Sequence, residues 1–464
     1  RPFSATRLVN FGRLPNASFA VSDYFLNSTQ YLGTLPDQGQ LRPILTPLSL
    51  AGLSPVVVEE FMPYLHRMGM TPVLGGGAAS TDVWQDAPLQ PGSTVAVQLV
   101  RGDMDVSASG TLTYISGDKL YAFGHPFMSV GNTSLPLSQA AVVGVIPSLM
   151  SSQKLSATTQ SVGVIQQDRS TGIMGVKGGK AGLIPVNLTL KTSRNEERQF
   201  RYEVVADSFL TPFLVTFTVH SSITASERTL GGQTLLMKCR ITVKGQPEVN
   251  FENAISDIAS SPAIAAINAA APVHFLLNSG FENVELEEID VRIDAAEEMR
   301  EAALDKVWQD KLEVRPGEEV GVTVFLRKEN GEVESERYPV KIPEGIPPGD
   351  LKIMIGDGLS LIQADAQQES AEFIPQNLRQ LVRAINNIKK NDRLYVRLFR
   401  EQQGAVIGGE GLPGLPPSIM ALYSSQKTTG DTLPINRVVF VEHELPATDY
   451  VLTGQKVIQV KVKG

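Results

Sequence analysis

The residue of this chain best suited to moving a proton is His125, in the tripeptide Gly124-His125-Pro126. The glycine and the proline fix a tight backbone turn after a run of small and apolar residues. Because an imidazole has an ordinary pKa of about 6.5, a histidine held at such a turn can accept and return a proton as a general base. The position equally suits a structural histidine whose ring bonds to a local backbone carbonyl. The local sequence leaves both interpretations open.

Other patterns that could carry chemistry are weaker. The other four of the five histidines show no paired spacing, and the sequence contains neither His-Glu-x-x-His nor a calcium-loop pattern, so we predict no metal site. The glycine-rich stretch 172–182 resembles a phosphate loop, but Ala181 follows Lys180 where that loop needs a hydroxyl to hold magnesium. Cys239 is the only cysteine, which excludes a disulfide framework and a cysteine-built zinc site. We therefore expect no cofactor.

Strands are predicted on both sides of His125. Apolar and polar residues alternate from Val95 to Leu99, and the same alternation recurs over 110–115. Residues 120–123 continue as a strand into the turn. Further strands fit 161–166, 183–190, 199–205 and 235–243. The sequence thus predicts a mainly β fold with a few helices, in which 93–245 form a mostly antiparallel β-barrel or sandwich and His125 ends a strand.

Composition agrees with several β-rich domains. Hydrophobic residues make up 42% and charged residues 19% of the 464 residues, which excludes a disordered chain. The 40 Gly, 29 Pro and 6% aromatic residues indicate many turns between short strands. The length suggests about three domains. A net charge of −8 argues against a nucleic-acid partner, because binding phosphates needs a basic face.

The chain on either side of 93–245 divides into three further segments. In 1–92, Ser54 caps a helix that begins at Pro55 and runs to Gly69. In 246–360, the acidic run 282–301 is interpreted as a solvated connector before a β-sandwich-like domain, with a hairpin turn at Asn330-Gly331.

The last segment, 361–464, is predicted to be an α+β domain. A basic amphipathic helix over 374–388 packs on the strand 394–399 or lies on a membrane. No transmembrane segment is expected, because the longest apolar stretch, 254–277, is Ala-rich and interrupted by polar residues and prolines. The chain opens with Arg1 rather than Met, which predicts a processed or truncated product whose signal peptide has been lost.

The segment around His125 resembles a known family. Residues 110–127, Gly-Thr-Leu-Thr-Tyr-Ile-Ser-Gly-Asp-Lys-Leu-Tyr-Ala-Phe-Gly-His-Pro-Phe, are similar to the Gly-Thr…Gly-His segment of the SpoIVB-type serine peptidase family. The likeness continues through 147–152, 167–175 and 184–186, and more loosely through 340–357 and 391–400. The chain looks closest to large exported bacterial members, in which a long β-rich tail follows the peptidase-like region. In that comparison, 1–92 is a remnant of the peptidase-like region.

The resemblance implies catalytic roles for two residues. The histidine of Gly-His is the family's base, which corresponds to His125. Asp168, in the matched block 167–175, is the first candidate for the carboxylate that orients the His125 ring. The carboxylate of Asp168 could instead form an ion pair with the neighbouring Arg169.

The family's nucleophile has no counterpart in this sequence. It is a serine in a Gly-x-Ser-Gly-Ser-Pro motif, whose glycines allow the turn that forms an oxyanion hole. The nearest echo, Ala259-Ser-Ser-Pro262, lacks both glycines. In large members the serine motif is expected upstream of Gly-His, close to the region 41–52, and Thr46-Pro47-Leu48 resembles the residues that follow it. We therefore expect the chain to begin, at Arg1, just after the serine. A histidine without that serine gives no acyl-enzyme chemistry.

Two classes of function remain open. The first is an exported SpoIVB-type serine-peptidase-family protein that lacks its nucleophile and is inactive as this chain. The second is a non-catalytic cell-envelope or surface protein that keeps the fold as a structural or binding module. Either implies a protein or peptide partner, possible assembly in the envelope, and a location in the periplasm, the outer envelope or outside the cell.

Overall fold

The computed structural model describes residues 45–75, 88–147, 153–227, 231–282, 284–366, 375–402, 404–407, 410–413, 432–435 and 437–464. Of the features predicted above, most of the segment 1–92, the matched residues 148–152 and Ile374 lie outside these ranges. Strands account for 53% and helices for 18% of the structure, which confirms the mainly β, multi-domain fold.

Thirteen strands of the described chain form one large sheet. In chain order they are β1 (Thr46–Ala51), β2 (Met70–Leu74), β3 (Thr94–Gly102), β4 (Asp105–Ser116), β5 (Lys119–Ala122), β6 (Gly131–Ile146), β7 (Gln153–Arg169), β8 (Gly172–Lys177), β9 (Leu183–Lys191), β10 (Glu197–Val205), β11 (Gln233–Val243), β12 (Val249–Asp257) and β13 (Leu286–Ala296). Their order across the sheet is β12-β11-β13-β9-β10-β3-β6-β7-β8-β5-β4-β1-β2.

Six of these strands close into a barrel. β3 pairs with β4 as well as with β6, which completes the ring β3-β6-β7-β8-β5-β4. Every pairing around the ring is antiparallel, as expected for this part of the chain. Leucine and isoleucine side chains from the ring strands are almost fully buried, among them Leu112, Leu120, Leu135, Leu137 and Ile165. Their burial stabilises the ring, because each fully buried side chain of this size contributes about 1.5–3 kcal/mol.

Three helices, α1 (Pro55–Arg67), α2 (Leu210–Ser226) and α3 (Ser261–Leu277), pack with the large sheet into one hydrophobic core. α1 confirms the predicted start of the helix, because Pro55 is its first residue and Phe61 and Leu65 lie on its buried face. Ser54 occupies the N-cap position, but its side chain makes no capping hydrogen bond. α2 was not predicted. Residues 210–223 are all buried, so the helix has no polar face and none of the helical periodicity by which sequence analysis finds a surface helix.

The acidic run 282–301, interpreted from the sequence as a solvated face in a connector, contains a strand of the large sheet. Its central part is β13, which pairs with β11 on one side and, in parallel, with β9 on the other. Ile289, Val291 and Ile293 alternate into the core, while Asp290 and Arg292 between them point away from it. The high number of charged residues drew attention away from the alternation of apolar and charged residues, which is typical of a strand with one buried face.

The remaining strands form three smaller sheets in the described chain. The strands are β14 (Glu301–Gln309), β15 (Glu313–Val314), β16 (Glu319–Lys328), β17 (Val333–Lys341), β18 (Gly349–Asp357), β19 (Leu394–Arg400), β20 (Gly404–Ile407), β21 (Glu410–Pro413), β22 (Thr432–Ile435), β23 (Val438–Glu444), β24 (Val451–Thr453) and β25 (Gln455–Val462), with helices α4 (Gly358–Ala366) and α5 (Leu378–Asn386). Their orders are β17-β16-β14-β24, β15-β25-β18-β19-β23 and β21-β20-β22.

The four-stranded and five-stranded sheets share a second hydrophobic core, to which Val322, Val324, Ile353 and Leu398 belong. The expected hairpin is present: Gly331, with a φ of 88°, lies in the turn between β16 and β17. Pairings of β13 with β9 and of β18 with β19 and β25 run across the segment limits drawn at 245 and 360. The division into four segments stays a prediction.

The C-terminal part protects the free edge of β12. Asn386, the last residue of α5, accepts from the backbone N–H of Asn250 at 2.8 Å and donates to the carbonyl of Glu248 at 2.9 Å. Asn391 accepts from the N–H of Ala254 and donates to its carbonyl, at 2.8 and 2.7 Å. Side-chain amides thus take the hydrogen-bonding groups that a further strand would otherwise use.

α5 has a different partner from the one predicted for the helix 374–388. Its apolar residues Leu381, Val382 and Ile385 are buried in the core of the large sheet, against β12 and α3 rather than against 394–399. No helix in the described part of the chain is both long and apolar enough to cross a membrane.

His220 is an ionisable residue inside the core. It lies on α2 with 4% of its surface exposed, beside the ring of Phe61. Its Nδ1 atom makes no hydrogen bond and lies 3.7 Å from an Oε2 oxygen of Glu60 on α1. Burial lowers the pKa of His220 from 6.5 to about 4 and raises the pKa of Glu60.

This buried histidine makes stability depend on pH. Because the pKa is lower in the folded state, the folded chain resists protonation, and stability falls as the pH drops from 6.5 towards about 4. The loss amounts to about 3 kcal/mol once the histidine is fully protonated. We expect urea unfolding at about pH 7 and about pH 4.5 to show a smaller loss for His220→Gln than for the unaltered chain. His66→Gln, at an exposed site on α1, is the matched control; equal losses in all three proteins would contradict the prediction.

Candidate functional site

His125 lies on the turn that joins β5 to β6, at one end of the barrel, as predicted from the sequence. The turn requires unusual backbone conformations: φ is 78° at Phe123, 74° at Gly124 and 59° at Ser129. Phe123 and Ser129 carry side chains, and the left-handed region costs such residues about 1–2 kcal/mol each. The turn therefore persists only because surrounding contacts hold it.

Phe123 anchors the start of the turn. Its backbone N–H donates to the carbonyl of Thr111 at 3.0 Å, and its ring covers Gly110 so closely that a Cβ atom there would overlap it. The same ring lies 5.6 Å, centroid to centroid, from the ring of His125. Gly110 on β4 is thus a condition for the position of Phe123 and, through it, for the surroundings of His125.

Asp168 anchors the rest of the turn. It lies on β7 with 1% of its surface exposed. One carboxylate oxygen accepts the backbone N–H of Phe127 at 2.8 Å, and the other accepts those of Met128 at 2.7 Å and Val130 at 3.3 Å. Hydrogen bonds to an ionised acceptor are the stronger kind, and the two from Phe127 and Met128 are buried.

The ring of His125 is exposed and is oriented by the backbone. Its Nδ1 atom lies 2.8 Å from the carbonyl oxygen of Pro126. Because a carbonyl only accepts, this contact assigns the hydrogen to Nδ1 and leaves a lone pair on Nε2. Among the residues that the structure describes, Nε2 has no hydrogen-bond partner, and no carboxylate lies within 4.0 Å of the ring nitrogens.

The structure brings His125 and Asp168 to the same turn but not into contact. We expected the carboxylate to orient the imidazole; instead, it binds the backbone beyond His125, and the Pro126 carbonyl orients the ring. Arg169, the alternative partner of Asp168, donates to the side-chain oxygen of Asn132 at 3.0 Å. The bond to Pro126 is the local carbonyl contact of the structural interpretation. The catalytic assignment of both residues stays a prediction.

The serine echo at 259–262 is a structural feature. Ser261 is fully buried at the start of α3, where its hydroxyl contacts the carbonyl oxygens of Asp257 at 3.2 Å and Gln233 at 3.4 Å. Among the described residues its hydroxyl bonds only to these backbone carbonyls, so it has none of the activation by a base that a nucleophilic serine needs. In the described ranges no three or more His, Cys, Asp or Glu side chains lie close enough together to hold a metal ion.

Sequence analysis missed one group of polar residues, on the outer face of β9, β11, β12 and β13. They line a cavity of about 340 Å³ that no residue of the His125 turn reaches. The available signal was the alternation of Lys238 and Arg240 with buried residues in β11, which places both cations on one face. Their neighbours across the sheet follow only from strand order, which the sequence does not show.

No family model, no curated protein and no solved structure matches the chain. The likeness to SpoIVB-type peptidases therefore rests on the residues quoted from the sequence.

The contacts of Asp168 lead to a stability prediction. Asp168→Asn keeps the size of the side chain but turns an N–H group towards backbone donors, so we expect the free energy of unfolding to fall by about 2–4 kcal/mol. Urea denaturation measures this. Asp118→Asn, at an exposed turn between β4 and β5, is the control and should change stability by less than about 0.5 kcal/mol. A loss at Asp168 no larger than that of the control would show that the carboxylate does not hold the turn.

Proposed function

We propose that this chain belongs to the SpoIVB-type serine peptidase family, that His125 is its proton-accepting residue, and that the 464-residue chain does not turn over peptides. The observation that carries the proposal is the His125 turn. A strained, exposed turn held by a buried carboxylate is expensive to maintain, and such strain is concentrated at functional sites. Export and a peptide or protein partner belong to the same proposal and rest on the resemblance alone.

The geometry of the ring suits a base. With the hydrogen on Nδ1, directed at the Pro126 carbonyl, Nε2 is free to take a proton from a hydroxyl and return it to a leaving group. A carbonyl carries only a partial charge, so it stabilises the resulting imidazolium less than a carboxylate would. His125 would therefore act as a correctly oriented but weakly supported base.

A nucleophile would have to reach Nε2. Proton transfer requires a serine oxygen within about 3 Å of that atom, and among the described residues no serine hydrogen-bonds to the ring. Ser261, in the nearest sequence echo, is buried at the start of α3. Without a hydroxyl at that distance, His125 has nothing to deprotonate, which is why we expect no acyl-enzyme.

A second candidate is a non-catalytic module that binds another protein. Its specific support is the end of β6, where four aliphatic side chains are exposed: Val142, Val143, Val145 and Ile146. Val143 is 71% and Val145 59% exposed. Contiguous exposed apolar residues mark interaction surfaces more often than chance does. In this reading the bond from His125 to Pro126 is purely structural.

Two measurements on the purified chain test the proposal. We expect no labelling of any serine by a fluorophosphonate probe, because among the described residues no serine hydrogen-bonds to the ring of His125. We also expect diethyl pyrocarbonate, which reacts with an imidazole lone pair, to modify His125 faster than the exposed His66 and His443, as followed by peptide mass spectrometry. His125→Ala is the control for site assignment.

The outcomes separate the two candidates. Serine labelling that His125→Ala abolishes would overturn the claim of inactivity while supporting the family assignment. Modification of His125 no faster than that of His66 and His443 would remove the support for a base and favour the binding module.

A further inference from the structure

The cavity of about 340 Å³ lies on the side of the large sheet opposite α3. Cys239, in the middle of β11, points the other way, with its Sγ atom 3.9 Å from the carbonyl of Ala269 on α3. Lys238 and Arg240, one position away on either side, therefore project from the outer face, where both are exposed. The volume lies in the range of small-molecule sites.

Strand register places the cavity's charged residues in two rows. In one row Lys238 of β11 lies between Glu252 of β12 and Arg292 of β13, and Thr189 of β9 follows Arg292. In the next row Arg240 lies between Asn250 and Asp290. Lys238 and Arg292 are thus direct neighbours across an antiparallel pair, an arrangement of like charges that destabilises a sheet.

The two carboxylates of the cavity are already neutralised by other cations. Asp290 accepts from Arg240 at 2.7 and 3.2 Å and from the amide of Asn187 at 3.0 Å. Glu252 lies 3.2 Å from the ammonium of Lys390 and 3.2 Å from the guanidinium of Arg393. Glu252 is the cross-strand neighbour of Lys238, but it pairs with Lys390 and Arg393 rather than with Lys238.

Lys238 and Arg292 consequently keep hydrogen-bond donors for which the described residues supply no acceptor. Lys238 makes no hydrogen bond and no ion pair with any residue that the structure describes. The carboxylate nearest to Arg292 belongs to Asp294, at 3.8 Å, which is too long for a hydrogen bond. The side chains of Thr189 and Asn250, which also line the cavity, have no hydrogen bond within the described ranges.

We propose that this cavity binds the doubly charged oxyanion group of a small molecule, between Lys238 and Arg292. The guanidinium offers a planar pair of donors and the ammonium a point charge, which together suit the several oxygens of a phosphate or a dicarboxylate. Thr189, beside Arg292 in the same row, and Asn250, beside Arg240 in the next row, supply neutral donors. The site is independent of His125 and of the function proposed for it.

Thermal unfolding of the full chain, at constant ionic strength, tests the site with inorganic phosphate and with malonate as probes. We expect each dianion to raise Tm in a saturable way and acetate to have little effect, with the stronger of the two identifying a phosphate or a carboxylate source. Lys238→Gln and Arg292→Gln should each weaken the apparent affinity by about tenfold or more. Isothermal titration calorimetry of the same proteins measures the affinity directly.

The controls keep the result unambiguous. Lys244→Gln removes a lysine next to the end of the same strand, paired with Glu285 at 2.6 Å outside the cavity, and should leave the response unchanged. Lys238→Gln removes one like-charge neighbour, Arg292, and one opposite-charge neighbour, Glu252, so urea unfolding of this variant is measured as well, to check that it is folded. No saturable response to either dianion, or an equal response in Lys238→Gln and the unaltered chain, would overturn the proposal.

Discussion

The parallel pairing of β9 with β13 is the constraint on which the architecture depends. Six residues of each strand are in register, from Ile289 opposite Val186 to Asp294 opposite Lys191, and they join the strands that extend from the barrel to the strands that carry α2 and α3. Parallel neighbours cannot be linked by a tight turn, so the chain between them must cross over the sheet. Here the crossover contains β10, α2, β11, β12 and α3, and its two helices bury the inner face of the sheet that the pairing creates. The same register aligns Thr189 with Arg292, so the cavity on the outer face is a product of this one pairing.

At one end of the barrel, the carboxylate of Asp168 binds the backbone of a turn, whereas the sequence analysis expected it to orient the ring of His125. Asp168 meets three backbone N–H groups, a use of charge that fixes the shape of a turn rather than the state of a side chain. The imidazole is left to the weaker field of a backbone carbonyl. Two different acceptors therefore fix the site: Asp168 holds the backbone of the turn, and the carbonyl of Pro126 orients the ring of His125. That division is compatible with a base and with a structural residue, which is why reactivity rather than geometry distinguishes them.

How much could be predicted depended on how far apart the interacting residues lie. Local signals were read correctly: Ser54-Pro55 began a helix, Asn330-Gly331 formed a hairpin, and alternation located the strands around His125. Hydrophobic periodicity did not reveal α2, because that helix is buried on all sides and the pattern is visible only when one face is polar. In β13 the outward acidic residues masked an inward apolar series. The donors to Asp168 lie about 40 residues earlier in the chain, so no local pattern could show them.

The capping of β12 has a consequence for how the chain is made. Asn391 follows the residue that it protects, Ala254, by 137 positions, and Asn386 follows Asn250 by 136. During synthesis from the N-terminus, β12 can be complete while both asparagines are still to come. For that interval an edge of the large sheet offers open N–H and C=O groups to any other extended chain. The nascent chain therefore passes through a stage vulnerable to edge-to-edge aggregation, and arrival of the segment 386–391 ends it.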